Sequence, residues 1–213
     1  MSTEKIFIAG EWSESGSSLP VVNPFTGKAF AETYWADENQ VEKSLSCATR
    51  AFESVQKLTS PRRGQICAEI AAKLEVKAED FARLIVAEAG KPLTDARREV
   101  KRAVAVFRDA SREALHLDPQ PLPLDFPPGQ ENRAARLGRF PIGPVLCVTP
   151  FNFPLNLVAH KVAPALACGA PFILKPSPKT PLTSLLLART LLEAGLAPES
   201  FSVFPAGNAA VLR

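Results

Sequence analysis

Little in this sequence is suited to hold a metal. Cysteine occurs four times and histidine twice in 213 residues, and the cysteines, at 47, 67, 147 and 168, never form a Cys-x-x-Cys pair. With only His116 and His160 beside them, a zinc site lacks its ligands, and the thiols read as reduced, small hydrophobic groups. No sign of charge dominates either. The net charge is +3, and no basic run is interleaved with aromatics, which argues against nucleic acid as the partner. Apolar runs are short and broken by proline, too short to span a bilayer. The start, Met-Ser-Thr-Glu-Lys, has neither the basic residues nor the unbroken apolar stretch of a signal peptide. These absences together predict a cytoplasmic protein with no metal, no membrane and no nucleic acid.

What is present suits a buried core, since 46% of the residues are hydrophobic. The chain also carries 20 prolines, concentrated in its second half, where they mark element boundaries. Residues 6–12 read as a short strand turning at Ala9-Gly10, and Asn23-Pro24-Phe25-Thr26-Gly27 reads as a tight turn. A helix is expected over 38–57, with Val41, Leu45, Ala48, Phe52 and Val55 on its inner face. Ser60-Pro61 opens a second as N-cap and first turn, with Ile66, Ile70 and Leu74 inward. Phe81, Leu84 and Ile85 define a third, which Gly90 ends and Pro92 keeps from resuming. A fourth starts near Thr94 and turns Val100, Ala103, Val104, Phe107 and Ala110 inward.

Between 117 and 143 the pattern changes to a proline-rich stretch and then alternating charged and apolar residues. We read an extended hairpin, a shape whose exposed edge another subunit usually covers. From Pro144 the order becomes βαβαβ. Val145-Leu146-Cys147-Val148 reads as a fully buried strand, followed by a helix that Gly169 ends. Phe172-Ile173-Leu174 is the next strand, Pro181 opens a helix that stops at Gly195, and 201–204 form a third strand. Short apolar strands alternating with helices predict a parallel sheet that binds ligands beyond its carboxyl ends. That rule selects segments 149–154 and 175–180, neither of which contains Gly-x-Gly-x-x-Gly.

Those segments resemble the aldehyde dehydrogenase superfamily. Thr149-Pro150-Phe151-Asn152-Phe153-Pro154-Leu155 is similar to the family's Pro-Trp-Asn-Phe-Pro motif, with phenylalanine where tryptophan is commoner. Pro164-Ala165-Leu166-Ala167-Cys168-Gly169-Ala170 and Lys175-Pro176-Ser177 match the family's next conserved stretch. Upstream, Asn23-Pro24 with Thr26-Gly27, and Glu88-Ala89-Gly90-Lys91-Pro92, stand in the family's order. The resemblance implies an α/β fold with an incomplete doubly wound parallel sheet. It divides the chain into an N-terminal helical part (1–116), an oligomerisation-like hairpin (117–143) and the βαβαβ part of a dinucleotide-binding domain (144–213). The catalytic domain is expected to be missing.

The implied enzyme oxidises an aldehyde to a carboxylic acid or thioester with NAD or NADP, through a cysteine thiohemiacetal. Asn152 matches the asparagine whose carboxamide donates to the oxyanion; by residue type alone it is a turn residue beside prolines. The cofactor would meet Thr149, Pro150, Phe151, Asn152, Lys175, Ser177, Pro178 and Lys179. Lys175 matches the lysine that donates to the adenosine ribose hydroxyls; its bland alternative is a solvated lysine at a strand end. Where many NAD-preferring members carry a glutamate, this chain has Pro178 followed by Lys179, so a 2′-phosphate should be tolerated and NADP accepted. Arg102, in Glu99-Val100-Lys101-Arg102, matches an arginine that one branch, the non-phosphorylating glyceraldehyde-3-phosphate dehydrogenases, offers to an anionic substrate. Its alternative is a solvated helix face.

None of the four cysteines reads as the nucleophile, and the matching regions beyond the third strand are absent, so the chain alone is expected to be inactive. Two expectations result. Either it is the front part of an oxidoreductase, or it is a truncated non-catalytic binding or assembly module that pairs through 117–143. The unfinished sheet edge should favour self-association.

Overall fold

The computed structural model describes residues 2–117, 119–124, 128–129, 131 and 133–207. Its N-terminal stretch is rich in strand: β1 (Ser2–Thr3), β2 (Ile6–Ile8), β3 (Glu11–Ser13), β4 (Ser18–Val22) and β5 (Ala29–Tyr34). The expected single strand over 6–12 is a hairpin, because Ala9 and Gly10 both take positive φ and fold β3 back on β2. β4 and β5, which the residue pattern did not predict, pair antiparallel across the 23–27 turn. Asn23 makes that turn: its Oδ1 accepts from the Phe25 and Thr26 amides at 2.9 and 3.2 Å, and Gly27 closes it at φ 68°.

Four amphipathic helices come next: α1 (Glu38–Val55), α2 (Ser60–Val76), α3 (Ala78–Ala89) and α4 (Leu93–Glu113). α1 begins at a capping box in which Asp37 accepts from the Gln40 amide and the Gln40 side chain accepts from the Asp37 amide. Its inner face is rotated from the expected one. Ser44, Cys47, Ala48, Ala51 and Val55 are buried, whereas Leu45 is exposed. On that face Ala48 packs with Ile6, Ile8, Ile173 and Phe204 of the sheet side. The cap of α2 is Thr59 rather than Ser60; Pro61 then sits one place deeper in the first turn, where its missing N–H is still harmless. Ile66, Ile70 and Leu74 are buried as expected, and so are Val100, Ala103, Val104, Phe107 and Ala110 of α4.

The 117–143 segment forms β6 (Gln120–Pro123) and β7 (Ala134–Leu137), antiparallel to each other and mostly exposed. The alternation expected over 131–140 therefore yields a shorter strand, and residues 118, 125–127, 130 and 132 lie outside the described set. Beyond it come β8 (Val145–Val148), α5 (Asn156–Cys168), β9 (Phe172–Lys175), α6 (Leu182–Glu193) and β10 (Phe201–Val203).

The main sheet has the order β3-β2-β10-β9-β8. β8, β9 and β10 are parallel as expected, but β2 joins β10 antiparallel, so the sheet is mixed. Alternation of side chains across β9 sorts the core. Phe172 and Leu174 enter the large cluster with α2 to α6, while Ile173 enters a smaller one with Ile6, Ile8, Phe204 and Ala48 of α1. Helices thus cover both faces. One expectation fails here: β8 is not fully buried. Cys147 is buried beneath α5, but Leu146 and Val148 point to the opposite face and are 48% and 46% exposed. The cause is position, since β8 is the sheet's edge and the cover on that face ends over β9.

Candidate functional site

Parallel strands that end in step place the segments after them side by side. Val148 pairs with Lys175, and the Thr149 amide donates to the Lys175 carbonyl at 3.2 Å. The 149–155 loop and the 175–180 turn therefore leave adjacent strand tips at the carboxyl edge of the sheet. Thr149 is buried, whereas Pro150, Phe151 and Asn152 are exposed. Lys175 is only 5% exposed. It is not a solvated strand-end lysine, and burial lowers its pKa from the ordinary lysine value. Ser177 and Pro178 are half-buried. The Ser177 hydroxyl oxygen accepts from the Lys179 amide at 3.2 Å, and the Ser177 carbonyl accepts from the Thr180 amide at 3.1 Å, which holds the turn in shape. Lys179 reaches back over Phe151, its Nζ 4.7 Å from the ring centre. The two predicted segments are thus brought together.

Two carboxylates that sequence reasoning did not assign organise this edge. Glu99 of α4 accepts from the Leu155 and Asn156 amides at 2.9 and 3.1 Å. Glu88 of α3 accepts from the Leu182 and Thr183 amides, both at 2.9 Å. Each is 2% exposed. The first N–H groups of a helix have no partner inside it and carry the positive end of its dipole, so Glu99 satisfies α5 and Glu88 satisfies α6. Each helix start thus has two amides already bound to a carboxylate, which disfavours a phosphate there and agrees with the missing Gly-x-Gly-x-x-Gly. The carboxyl of Glu88 is raised from 4.5 to about 7, because its desolvation outweighs those donors. The signal for both was present in the sequence: each is a charged residue at a core-facing position, Glu88 three places after Ile85 and Glu99 between Ala96 and Ala103.

Lys91 pairs with Glu99 and lies over Phe153, its Nζ 3.8 Å from the ring centre. Arg102, exposed on α4, approaches the same ring at 5.6 Å. The Asn152 loop is therefore held by α4 on one side, and Arg102 stands beside it rather than at a remote surface. Gly90 takes φ 69°, and a Cβ there would meet the Pro24 Cγ at 2.8 Å, so the two upstream motifs pack on one another.

Asn152 and Lys179 are exposed at these strand tips and Ser177 is half-buried, while Lys175 is nearly enclosed and Glu88 lines the pocket beside Phe151, Pro178 and Lys179. The donors among them fit a ligand bearing hydroxyl and phosphate oxygens, as a dinucleotide does. The cysteines are placed for no such role. Cys47, Cys67 and Cys147 are buried, and burial pushes the Cys67 and Cys147 thiols up to about 12 and about 11. Cys168 is exposed but lies at the far end of α5, about 18 Å along the helix from the loop by its rise per residue. Among the described residues no group of three or more His, Cys, Asp or Glu is arranged to hold a metal, and no helix is long and apolar enough to cross a membrane.

Helices on both faces of a mixed sheet, with two shaped segments at the carboxyl tips of its three parallel strands, define an α/β protein of the class that receives ligands at strand tips. The chain belongs to the aldehyde dehydrogenase family, whose sequence model matches residues 12–213. It is 35% identical over 191 residues to a 3-sulfolactaldehyde dehydrogenase from Priestia aryabhattai, covering 90% of this chain and 40% of that protein. Its structure superposes with a TM-score of 0.93 on aldehyde dehydrogenase 21 from Physcomitrella patens in complex with the reaction product succinate, at 33% identity, covering 99% of this chain and 44% of the other. With the NADP-dependent glyceraldehyde-3-phosphate dehydrogenase from Bacillus halodurans complexed with NADP, the TM-score is 0.92 at 29% identity, covering 97% and 44%. The chain thus spans about 40% of the length of the curated relative.

Proposed function

We propose that this chain supplies part of the dinucleotide crevice and the oxyanion donor of an NAD(P)-dependent aldehyde dehydrogenase that oxidises an aldehyde to a carboxylic acid. The observation that carries this reading is the pairing of Val148 with Lys175, which sets the Asn152 loop and the 175–180 turn side by side. Lys175 and Ser177 would hold the ribose hydroxyls, and Thr149, Pro150 and Phe151 would line the crevice beside them. When bound, the dinucleotide supplies a hydride acceptor. The chain's own contribution to chemistry is Asn152, whose side-chain N–H groups donate to the substrate oxygen as it gains negative charge. A preset donor of this kind is worth about 2.7–4 kcal/mol of barrier. The attacking thiol is not among Cys47, Cys67, Cys147 and Cys168, so this chain alone is expected to show no turnover.

Pro178 and Lys179 leave no carboxylate to repel a ribose 2′-phosphate, and Lys179 adds a cation, so NADP should bind at least as well as NAD. Arg102 beside the Asn152 loop would receive an acid group on the aldehyde. The names of the three relatives are in keeping, since sulfolactaldehyde, succinate and glyceraldehyde 3-phosphate all carry one. The exposed β6–β7 ribbon favours a homo-oligomer built through 117–143, and a non-catalytic assembly module is the second reading it supports. Four unpaired thiols suit the cytoplasm.

Titrating the chain with NADPH and NADH by fluorescence tests the proposal. Binding is expected, no weaker for NADPH, and Lys175→Met should weaken both nucleotides about tenfold, the loss of one charge-assisted hydrogen bond. Absence of binding, or a strong preference for NADH, overturns the cofactor reading. Turnover of an aldehyde panel by the chain alone would overturn the assignment of the nucleophile.

A further inference from the structure

α4 carries five arginines, and four of them are spent on carboxylates. Arg97 pairs with Glu79 at 2.9 Å, Arg98 with Asp95 at 3.2 Å, Arg108 with Glu75 at 2.5 Å and Arg112 with Asp109 at 3.2 Å. Arg102 has no ion-pair partner among the described residues, and its contact is the Phe153 ring. The one carboxylate within helical reach of it is Glu99, three residues earlier on the same helix. That carboxylate is already committed: its Oε1 accepts from the Leu155 and Asn156 amides, and its Oε2 pairs with Lys91.

From this arrangement we infer that Lys91 is a specificity-determining residue that acts through Glu99. By neutralising Glu99 it keeps Arg102 unpaired and available to an acid group on the ligand. The inference rests on the reading of Arg102 as an anion receiver. A buried carboxylate with no counter-charge is costly, and it draws in the nearest cation. Without Lys91 that cation is Arg102, which would swing from the face of Phe153 onto Glu99 and be lost to the ligand. Lys91 is suited to this task by its placement. Its side chain is 18% exposed and that of Glu99 1% exposed, so the pair is sheltered from solvent screening, and Phe153 covers the ammonium from the loop side.

The test is an NMR titration of the 15N-labelled chain with malonate and, separately, inorganic sulfate. It follows the Arg102 Nε–Hε resonance, identified through Arg102→Lys. In the wild type the resonance should shift saturably with either anion. In Lys91→Met the apparent Kd should rise about five- to tenfold, the range expected when a partly buried ion pair competes for the guanidinium. In Lys91→Met/Glu99→Gln the wild-type response should return, because no carboxylate remains to capture Arg102. A merely structural role for Lys91 would not be rescued by that second change. Should Lys91→Met not fold, Lys91→Gln, which keeps a donor for Glu99 but no charge, gives the same comparison. A wild type that does not respond overturns the reading of Arg102 and the inference with it. A wild type that responds, with Lys91→Met responding equally or with no rescue in the double variant, overturns the inference alone.

Discussion

Glu88 shows how much a single residue costs and contributes at this edge. Its carboxyl is fully enclosed and holds the start of α6, yet its pKa is raised from 4.5 to about 7. A group whose folded-state pKa is raised binds its proton more tightly in the native chain than in the unfolded one. Its contribution to stability is therefore complete below about pH 4.5 and is lost as pH rises through about 7. The size of that loss is about 3 kcal/mol. Glu88→Gln should flatten the stability profile between pH 5 and 8 relative to wild type. At low pH, where Glu88 is protonated, it should also cost about 1 kcal/mol, because a single amide oxygen cannot serve both helix donors as well. Urea unfolding at several pH values measures this, and parallel profiles for the two proteins would contradict it. The place of Asn152 in an exposed loop after β8 was legible in the sequence, because its neighbours carry a specific order of residues. The roles of Glu88 and Glu99 were not, because a carboxylate at a core-facing position acquires meaning only when the helix end it meets is known.

At the scale of elements, the helices were the most readable parts. The inner faces of α2 and α4 follow from apolar spacing alone, since each face meets a broad, deep core. α1 followed that rule only in part: Ala48 and Val55 are buried as spaced, but Ser44, Cys47 and Ala51 share the face while Leu45 is exposed. The end of α3 joins two motifs that lie far apart in sequence. Gly90 terminates the helix at φ 69°, in a position where any Cβ would strike Pro24. Gly90→Ala should therefore cost about 1–3 kcal/mol, from left-handed backbone strain and the clash together. A shift of the denaturation midpoint reads this out, and a variant as stable as the wild type would mean that the 23–27 turn yields without penalty.

For the whole molecule the consequential feature is the edge of the main sheet at β8. Its backbone is unpaired on one side by any strand among the described residues, and Leu146 and Val148 expose apolar surface on one face. Phe151 extends that surface at the strand's tip. Such an edge pairs readily with another chain. Gel filtration over a range of concentrations should show the chain eluting above its monomer mass, 23.0 kDa. Leu146→Lys should move it toward that mass, as a charge on an edge strand opposes pairing. A wild type that elutes as a monomer throughout would refute this. On the other side the N-terminal β2–β3 hairpin covers β10 and makes β3 the edge strand. That pairing brings together residues nearly two hundred positions apart, and no local pattern announced it.

Local residue pattern was enough for the alternation of strands and helices after Pro144, the helical faces with deep cores, and the two segments at the strand tips. Periodicity, proline and glycine act within a few residues, so a linear reading can find them. Which strand lies at the edge, how far Lys175 is buried, and the capping of α5 and α6 by Glu99 and Glu88 from other parts of the chain emerge only on folding. Those outcomes depend on which distant surfaces meet, and burial, capping and charge pairing are properties of the meeting rather than of either partner.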